Sequence, residues 1–495
     1  MSERLGALDA SFLYLETPTT AMHVGGVATF AVPAGGTDYY SRLIRQISDR
    51  IGAAPRYRQK LCQVPGGLAN PIWVDDPDFD LYYHVRHSAL PQPGSDGQLC
   101  ERVARIQSRQ LDRCRPLWAL YLVEGLSDNR FALIIKIHHA MVDGIGGLDI
   151  GRLFFDQVPT AAPIPAPAPA TRPPSAPYLI AGAVLDLAGR PVTALAGLPR
   201  DWAGARSATA GALRFAAGLP ATARLSLRPA RGGPLNTTIG TARRYAMACT
   251  RLDDYQRVRR AHGGTINDVV LATVTGALRG WLAQRGEPLP PTASLRAMVP
   301  VNLRTEQQAD APGNHVSAYF VDLPLGEPDP LRRLAQVSER LQRHKNAGPS
   351  GPTDALITLA SLVPPPVHAR GARVVGELSR HLFNVVITNL PGPQTPLHVA
   401  GARMLTLHPV VPLAHGQAVS IGLLSYHGGV FYGLNADRAS MPDLDRLAGL
   451  IEESLRELLD TVPGSVHPGV HDPDASPRLA GPDGTGPVKP RGRVA

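Results

Sequence analysis

The sequence predicts an α/β protein made of two mixed α/β domains, and three observations carry that expectation. The chain is 495 residues long, more than one ordinary core holds. Its apolar side chains, within a 44% hydrophobic composition, gather in two dense regions, residues 1–156 and 236–462. The second region alternates strand and helix patterns, and the first ends in a β-rich run followed by a helix-compatible one.

In order along the chain, residues 1–156 form the N-terminal domain. "FALIIKIHH" (Phe131–His139) reads as a strand, and "GGLDIGRLFF" (Gly146–Phe155) can start a helix. Residues 157–235 form a linker and crossover. "TAAPIPAPAPATRPPSAP" (Thr160–Pro177) is too proline-rich for regular structure and reads as extended. Residues 178–232 are apolar at first, then carry Arg200, Arg206, Arg214, Arg224, Arg228 and Arg231 against the single acid Asp201. Helical segments with arginine on one side fit this pattern, either packing between the domains or touching a lipid surface.

In the C-terminal domain, 236–462, "TINDVVLATVTGALRGWLAQRG" reads as a helix. Thr265 and Asp268 stand in capping-box positions, Val270, Leu271, Val274, Leu278 and Leu282 form its apolar face, and Gly286 ends it. "HLFNVVITNLPGP" reads as a strand entering a Pro-Gly turn. "MPDLDRLAGLIEESLRELLD" is an amphipathic helix, apolar at Leu444, Leu447, Ile451, Leu455 and Leu458. The tail, 463–495, has hardly any large apolar residue and reads as disordered.

Composition narrows the function classes. The net charge is +9, and with only four lysines (Lys60, Lys136, Lys345, Lys489) the positive charge is almost all arginine, thinly spread. That balance permits attraction to anionic lipid or a phosphorylated substrate; no nucleic-acid partner is expected. Cys62, Cys100, Cys114 and Cys249 lie far apart without CxxC or CxxH spacing, so neither a metal site nor a disulfide framework is expected. The N-terminus lacks a continuous apolar core for a secretion signal, and no run of about 18 uncharged apolar residues occurs. The expected location is cytoplasmic, with any membrane or lipid inclusion met from its surface.

"KIHHAMVDGIGG" (Lys136–Gly147) holds the densest chemistry. A metal site, a proton-transfer site and a plain strand-to-turn corner all share its outline. Adjacent strand residues point to opposite faces, so His138 and His139 do not readily share a ligand, and neither HExxH nor an obvious third ligand is present. A neutral imidazole can take a proton from a hydroxyl near neutral pH. Asp143 would then hold the loop, through an arginine or backbone amides, where Gly144 lets the chain bend back. The plainer alternative is a strand-end histidine pair satisfied by backbone carbonyls.

HHxxxDG is the signature of the coenzyme A-dependent acyltransferase superfamily that includes chloramphenicol acetyltransferase and peptide-synthetase condensation domains. Within it, the chain resembles the bacterial wax ester synthase/diacylglycerol acyltransferases. "LDASFLYLETPTTAMHVGG" (Leu8–Gly26), "RPLWALYLVEGL" (Arg115–Leu126), "INDVVLATVTGALR" (Ile266–Arg279), "VPVNLR" (Val299–Arg304), "GNHVS" (Gly313–Ser317) and "NVVITNLPGP" (Asn384–Pro393) follow in family order. The resemblance covers about residues 5 to 460, and the Pro/Ala linker and the tail match nothing in it.

The resemblance implies a chloramphenicol acetyltransferase-like fold with an active-site channel between two domains. It implies that His139 is the general base, with His138 supporting the loop or pocket. Asp143 is implied as a structural aspartate, for which Arg304 is the candidate partner, a surface arginine at a strand end being the plainer reading. Asn267, in the first turn of its helix, could face the thioester oxyanion, and Glu16 could position the base or acceptor. The implied substrates are a fatty acyl coenzyme A, as co-substrate rather than cofactor, and diacylglycerol or a long-chain alcohol. No metal or resident cofactor is expected. Two alternatives remain: the same fold acting on a polyketide or peptidyl alcohol, and a non-catalytic lipid-inclusion protein.

Overall fold

The protein's structure, a computed structural model, describes residues 3–33, 38–142, 153–156, 174–183, 230, 232–302, 316–346 and 365–463. The N-terminal half runs α1 (Ala7–Leu15), β1 (His23–Ala31), α2 (Tyr39–Arg50), β2 (Gln59–Cys62), β3 (Ile72–Asp75), α3 (Leu81–His84), β4 (Val85–Ala89), α4 (Asp96–Gln107), β5 (Trp118–Leu126) and β6 (Arg130–His138). The C-terminal half continues with β7 (Arg243–Arg251), α5 (Leu252–His262), α6 (Ile266–Gln284), β8 (Leu295–Asn302), β9 (Val316–Leu323), α7 (Pro330–Asn346), α8 (Pro365–Leu382) and β10 (Val385–Pro391). It closes with β11 (His398–Val399), β12 (Ala402–Val410), β13 (Val419–Tyr426), β14 (Gly429–Asp437) and α9 (Leu444–Asp460).

Two six-stranded mixed sheets organise these elements, in the orders β11-β12-β1-β6-β5-β4 and β7-β14-β13-β10-β8-β9. β11 and β12 come from the C-terminal half of the sequence yet extend the N-terminal sheet, with β12 antiparallel to β1. β6 explains its own apolar run. Phe131, Leu133, Ile135 and Ile137 face one core with Trp118, while Ala132 and Ile134 face α4 through Leu99 and Val103. Both faces are covered, so nearly every position must be apolar. Lys136 and His138 continue the α4-side face, as period-two alternation requires.

The second sheet is covered by α6 and α9, with every apolar position predicted on both helices buried. α6 is buried more completely than one face: Val269, Ala272, Thr273, Ala277 and Trp281 are enclosed as well, since α7 and α9 both pack against the helix. Gly286 ends it at φ +73°, a conformation costly for other residues. A third cluster, including Leu99, Val103, Ile134, Tyr245 and Val410, joins α4 and β6 to β7 and β12 and so ties the halves together.

One part of the linker reading is corrected. Residues 176–183 are helical, so Ala176 and Pro177 open a helix instead of ending an extended stretch. Proline is tolerated there because first-turn N–H groups have no intrahelical acceptor. Leu179 and Ala183 of this helix pack on the β2-β3 hairpin beside Val64, Ala69, Ile72 and Val74. The rest of the linker, the tail and the 146–152 helix start lie outside the described residues.

Candidate active site

β6 ends at His138, and the chain turns at once into a short 3-10 segment, His139–Met141. His138 supports that turn: its Nδ1 accepts a hydrogen bond from the Ala140 N–H at 3.0 Å. An imidazole nitrogen that accepts carries no proton, so in the neutral ring the proton sits on Nε2. Nε2 faces the Glu16 carboxylate, 3.6 Å from Oε2. His138 is 1% exposed and Glu16 2%, so the pair lies inside the protein. Both nitrogens of His138 are directed inward, which leaves no lone pair for a substrate.

β1 supplies the opposite wall, with His23 paired in register with His138 and the two rings meeting edge to face at 5.7 Å. The β1–β6 approach requires glycine two residues on, because a Cβ at Gly25 would lie 1.9 Å from the Ile135 carbonyl oxygen. His23 Nε2 lies 3.3 Å from Glu16 Oε1 and also accepts from the Leu111 N–H at 3.3 Å. Burial and the nearby Lys136 hold His23 well below the usual imidazole range.

Glu16 follows α1 and gathers the cluster. Its Oε2 accepts from Arg113 through Nη2 at 2.6 Å and Nε at 3.1 Å, and its Oε1 accepts from the Met22 N–H at 3.3 Å. Burial by itself would raise this carboxyl. The hydrogen bonding and charge of His138 and the Arg113 guanidinium outweigh it and hold the group down to about 2. Lys136, two residues before His138, is also buried. Its ammonium donates to the Ile106 carbonyl at 2.8 Å and to the Arg109 carbonyl, where α4 ends and a cation is favoured. Burial pushes it down to about 7.

His139 differs from its neighbour. Its backbone N–H donates to the Met22 carbonyl at 2.8 Å, which fixes the start of the turn. Its ring stacks on Phe12 of α1, with centroids 3.8 Å apart and planes 17° off parallel. Nδ1 is buried without a hydrogen-bond partner among the described residues, and the residue as a whole is partly exposed. Burial pushes the imidazole down to about 4, so its resident form at neutral pH is the unprotonated, accepting one. His138 is buried and His139 partly exposed, and the prediction that adjacent histidines diverge is met.

Asn267 is the second residue of α6. Thr265 caps the helix and Asp268 returns the bond to the Thr265 N–H, so the predicted capping box is complete. Asn267 Oδ1 accepts from the Asn389 amide at 3.1 Å, at the end of β10. With its oxygen engaged, the Asn267 amide presents its N–H₂ at the positive end of a 19-residue helix.

Of the predicted site residues, Glu16, His138 and His139 come together through direct contact and through Met22. Asn267 pairs with Asn389, with no described contact to the histidine turn. Asp143, Gly144 and Arg304 lie outside the described residues. Sequence reasoning passed over Phe12, His23, Arg113 and Asn389. Phe12, His23 and Asn389 stand inside the motifs quoted above, and Arg113 stands two residues before one. Trp118 is core, as predicted, with its Nε1 donating to the Tyr57 carbonyl. Among the described residues no group of His, Cys, Asp or Glu side chains is arranged to hold a metal ion. The described cavities, about 70 and 530 Å³, lie by Leu295 and Leu323, at the opposite ends of β8 and β9 from Asn302 and Val316.

Two mixed sheets, one of them extended by β11 and β12 from the C-terminal half, with a histidine turn closing a central strand of that sheet, define the class: a two-domain acyltransferase fold. It is shared with a trichothecene 15-O-acetyltransferase from Fusarium sporotrichioides, at TM-score 0.62 and 14% identity over 92% of this chain and 95% of that one. A wax ester synthase/diacylglycerol acyltransferase from Marinobacter aquaeolei matches at TM-score 0.66 and 28% identity, over 92% and 98%. A probable diacylglycerol O-acyltransferase of Mycobacterium tuberculosis is 36% identical over 465 residues, 92% of this chain and 98% of its own. The wax ester synthase/diacylglycerol acyltransferase catalytic domain matches residues 5–270, and the C-terminal domain of that family matches 312–459. The chain belongs to the wax ester synthase/diacylglycerol acyltransferase family, and it is an acyltransferase.

Proposed function

We propose that this enzyme moves a fatty acyl group from acyl coenzyme A to the hydroxyl of diacylglycerol or of a long-chain alcohol, with His139 as general base. The observation that carries the reading is His139 itself: unprotonated, stacked under Phe12 and partly exposed, while its neighbour faces inward. His139 takes the hydroxyl proton as the oxygen attacks the thioester carbon. The tetrahedral oxyanion collapses, the C–S bond breaks, and the imidazolium returns the proton to sulfur, so coenzyme A leaves as the thiol. Burial disfavours the imidazolium and so favours that return. Asn267, at the start of α6, is the donor proposed for the oxyanion. Asp143 and Arg304 are proposed as the pair that closes the turn, with Gly144 allowing its bend. Acyl coenzyme A serves as co-substrate, and no resident cofactor enters the reading.

The lipid substrates place the enzyme at a membrane or lipid-inclusion surface. Tyr178 and Ile180, exposed on the helix docked to the β2-β3 hairpin, and exposed Leu68 beside that hairpin support this placement. No helix among the described residues is long and apolar enough to cross a membrane. Purified protein given labelled palmitoyl coenzyme A with diacylglycerol, hexadecanol or polyketide alcohols tests the substrate class. Labelled triacylglycerol or wax ester is expected; transfer to polyketide alcohols alone overturns the reading.

A further inference from the structure

Arg113 lies in the loop between α4 and β5, with its side chain 41% exposed. Its guanidinium makes two kinds of contact, and each leads to His139 by a different route. Through Nη2 and Nε it binds Glu16 Oε2, while Glu16 Oε1 accepts the Met22 N–H and the Met22 carbonyl accepts the His139 N–H. Through Nη2 it also donates to the Leu13 carbonyl at 3.0 Å, in the last turn of α1. That turn has no basic residue of its own, so Arg113 supplies from another element the cation that a helix C-terminus favours. Phe12, the residue before Leu13, carries the ring stacked on His139.

We propose that Arg113 is a positioning residue for His139, holding the backbone of the histidine turn through Glu16 and Met22 and the stacked face of the ring through the end of α1. The inference rests on the reading of His139 as the base. Without Arg113, α1 loses its outer anchor, Phe12 shifts from the ring and water reaches the imidazole. The geometry of attack then loosens and the imidazolium becomes easier to form. Among the described residues, the titratable group that acts on His139 is its neighbour His138; Asp9 stands on α1, one turn before Phe12. Behind His138 lie Glu16, His23, Lys136 and Arg113 itself. His368 of α8 meets α1 through Ser11, at 2.8 Å.

The test measures thiol release by the full-length enzyme across pH, alongside NMR titration of ¹³C-labelled histidine with His139 assigned by its loss in H139Q. R113A is expected to lower kcat about 10- to 100-fold, the scale of a misplaced catalytic group, with KM for palmitoyl coenzyme A within about twofold. Both the acid limb of the rate and the His139 titration should move to higher pH, with R113K restoring part of each. R105A, which removes an exposed arginine of α4, should behave as wild type. If R113A does not fold, R113Q carries the same expectations at smaller amplitude. A variant whose His139 titration and acid limb stay unchanged overturns the positioning role, even if its KM or melting temperature changes. Retained activity in H139Q would instead overturn the reading beneath it.

Discussion

The histidine turn after β6 and the asparagine-bearing start of α6 both present a polar side chain at the end of a regular element, but they are held differently. At α6 the support is local: Thr265 and Asp268 cap a helix that starts one residue before Asn267, and among the described residues the hydrogen bond to Asn267 from elsewhere is that of Asn389. At the turn, almost every contact crosses the fold. Phe12, Glu16, Met22, His23 and Arg113 all reach residues 138–140 directly or through one intermediary. A local cap needs only the right residues three apart. A buried charged cluster needs two strands, a helix end and a loop to be in place first.

Removing the reacting group at each end sharpens this contrast. H139A is expected to lower kcat by about 10²–10⁴-fold with the fold intact, the usual worth of a positioned proton acceptor. Steady-state thiol release measures it, and an unchanged rate would sink the assignment. N267A should follow at about 10²–10³-fold if its amide meets the oxyanion. N389A, which removes only the partner, should cost about tenfold or less. Equal losses in N267A and N389A would mean that the pair acts as a unit, and the local picture of α6 would need revision.

The next effect is on stability and belongs to the histidine side alone. The Glu16 carboxyl is held at about 2 in the folded chain against 4.5. Its stabilisation is therefore fully present above pH 4.5 and is lost as pH falls through about 2. It amounts to about 3 kcal/mol at neutral pH. Denaturant melts of wild type and E16Q between pH 6 and pH 3 should converge as pH falls. Parallel curves would show that Glu16 is not the source. The smallest effect is at the cap, where T265A should cost about 1 kcal/mol in unfolding free energy and leave kcat within about twofold.

Sequence and structure divide along the same line. The strand character of β6, the capping box of α6 and the apolar faces of α6 and α9 were legible because each follows from spacing within about twenty residues. The order of the motifs, by resemblance, marked His139, Asn267 and Glu16. The histidine turn's supports were not legible: Arg113 looks like any loop arginine, and His23 like one more polar residue in an apolar strand. Nothing local distinguishes Phe12 from a core aromatic, although its ring covers the catalytic candidate. Residues 398–410 give no sign that they extend the N-terminal sheet, because edge pairing is decided by which strand end is free when the halves meet.

By itself, then, the sequence determined which segments become strands and helices and which imidazole ends the central strand, because backbone periodicity and capping act over a few residues. Only the tertiary structure decided that His138 points inward to Glu16 while His139 stacks on Phe12 and stays partly exposed. That choice depends on charges and rings brought together from more than one hundred positions apart, and a buried carboxylate is stable only once its partners have arrived.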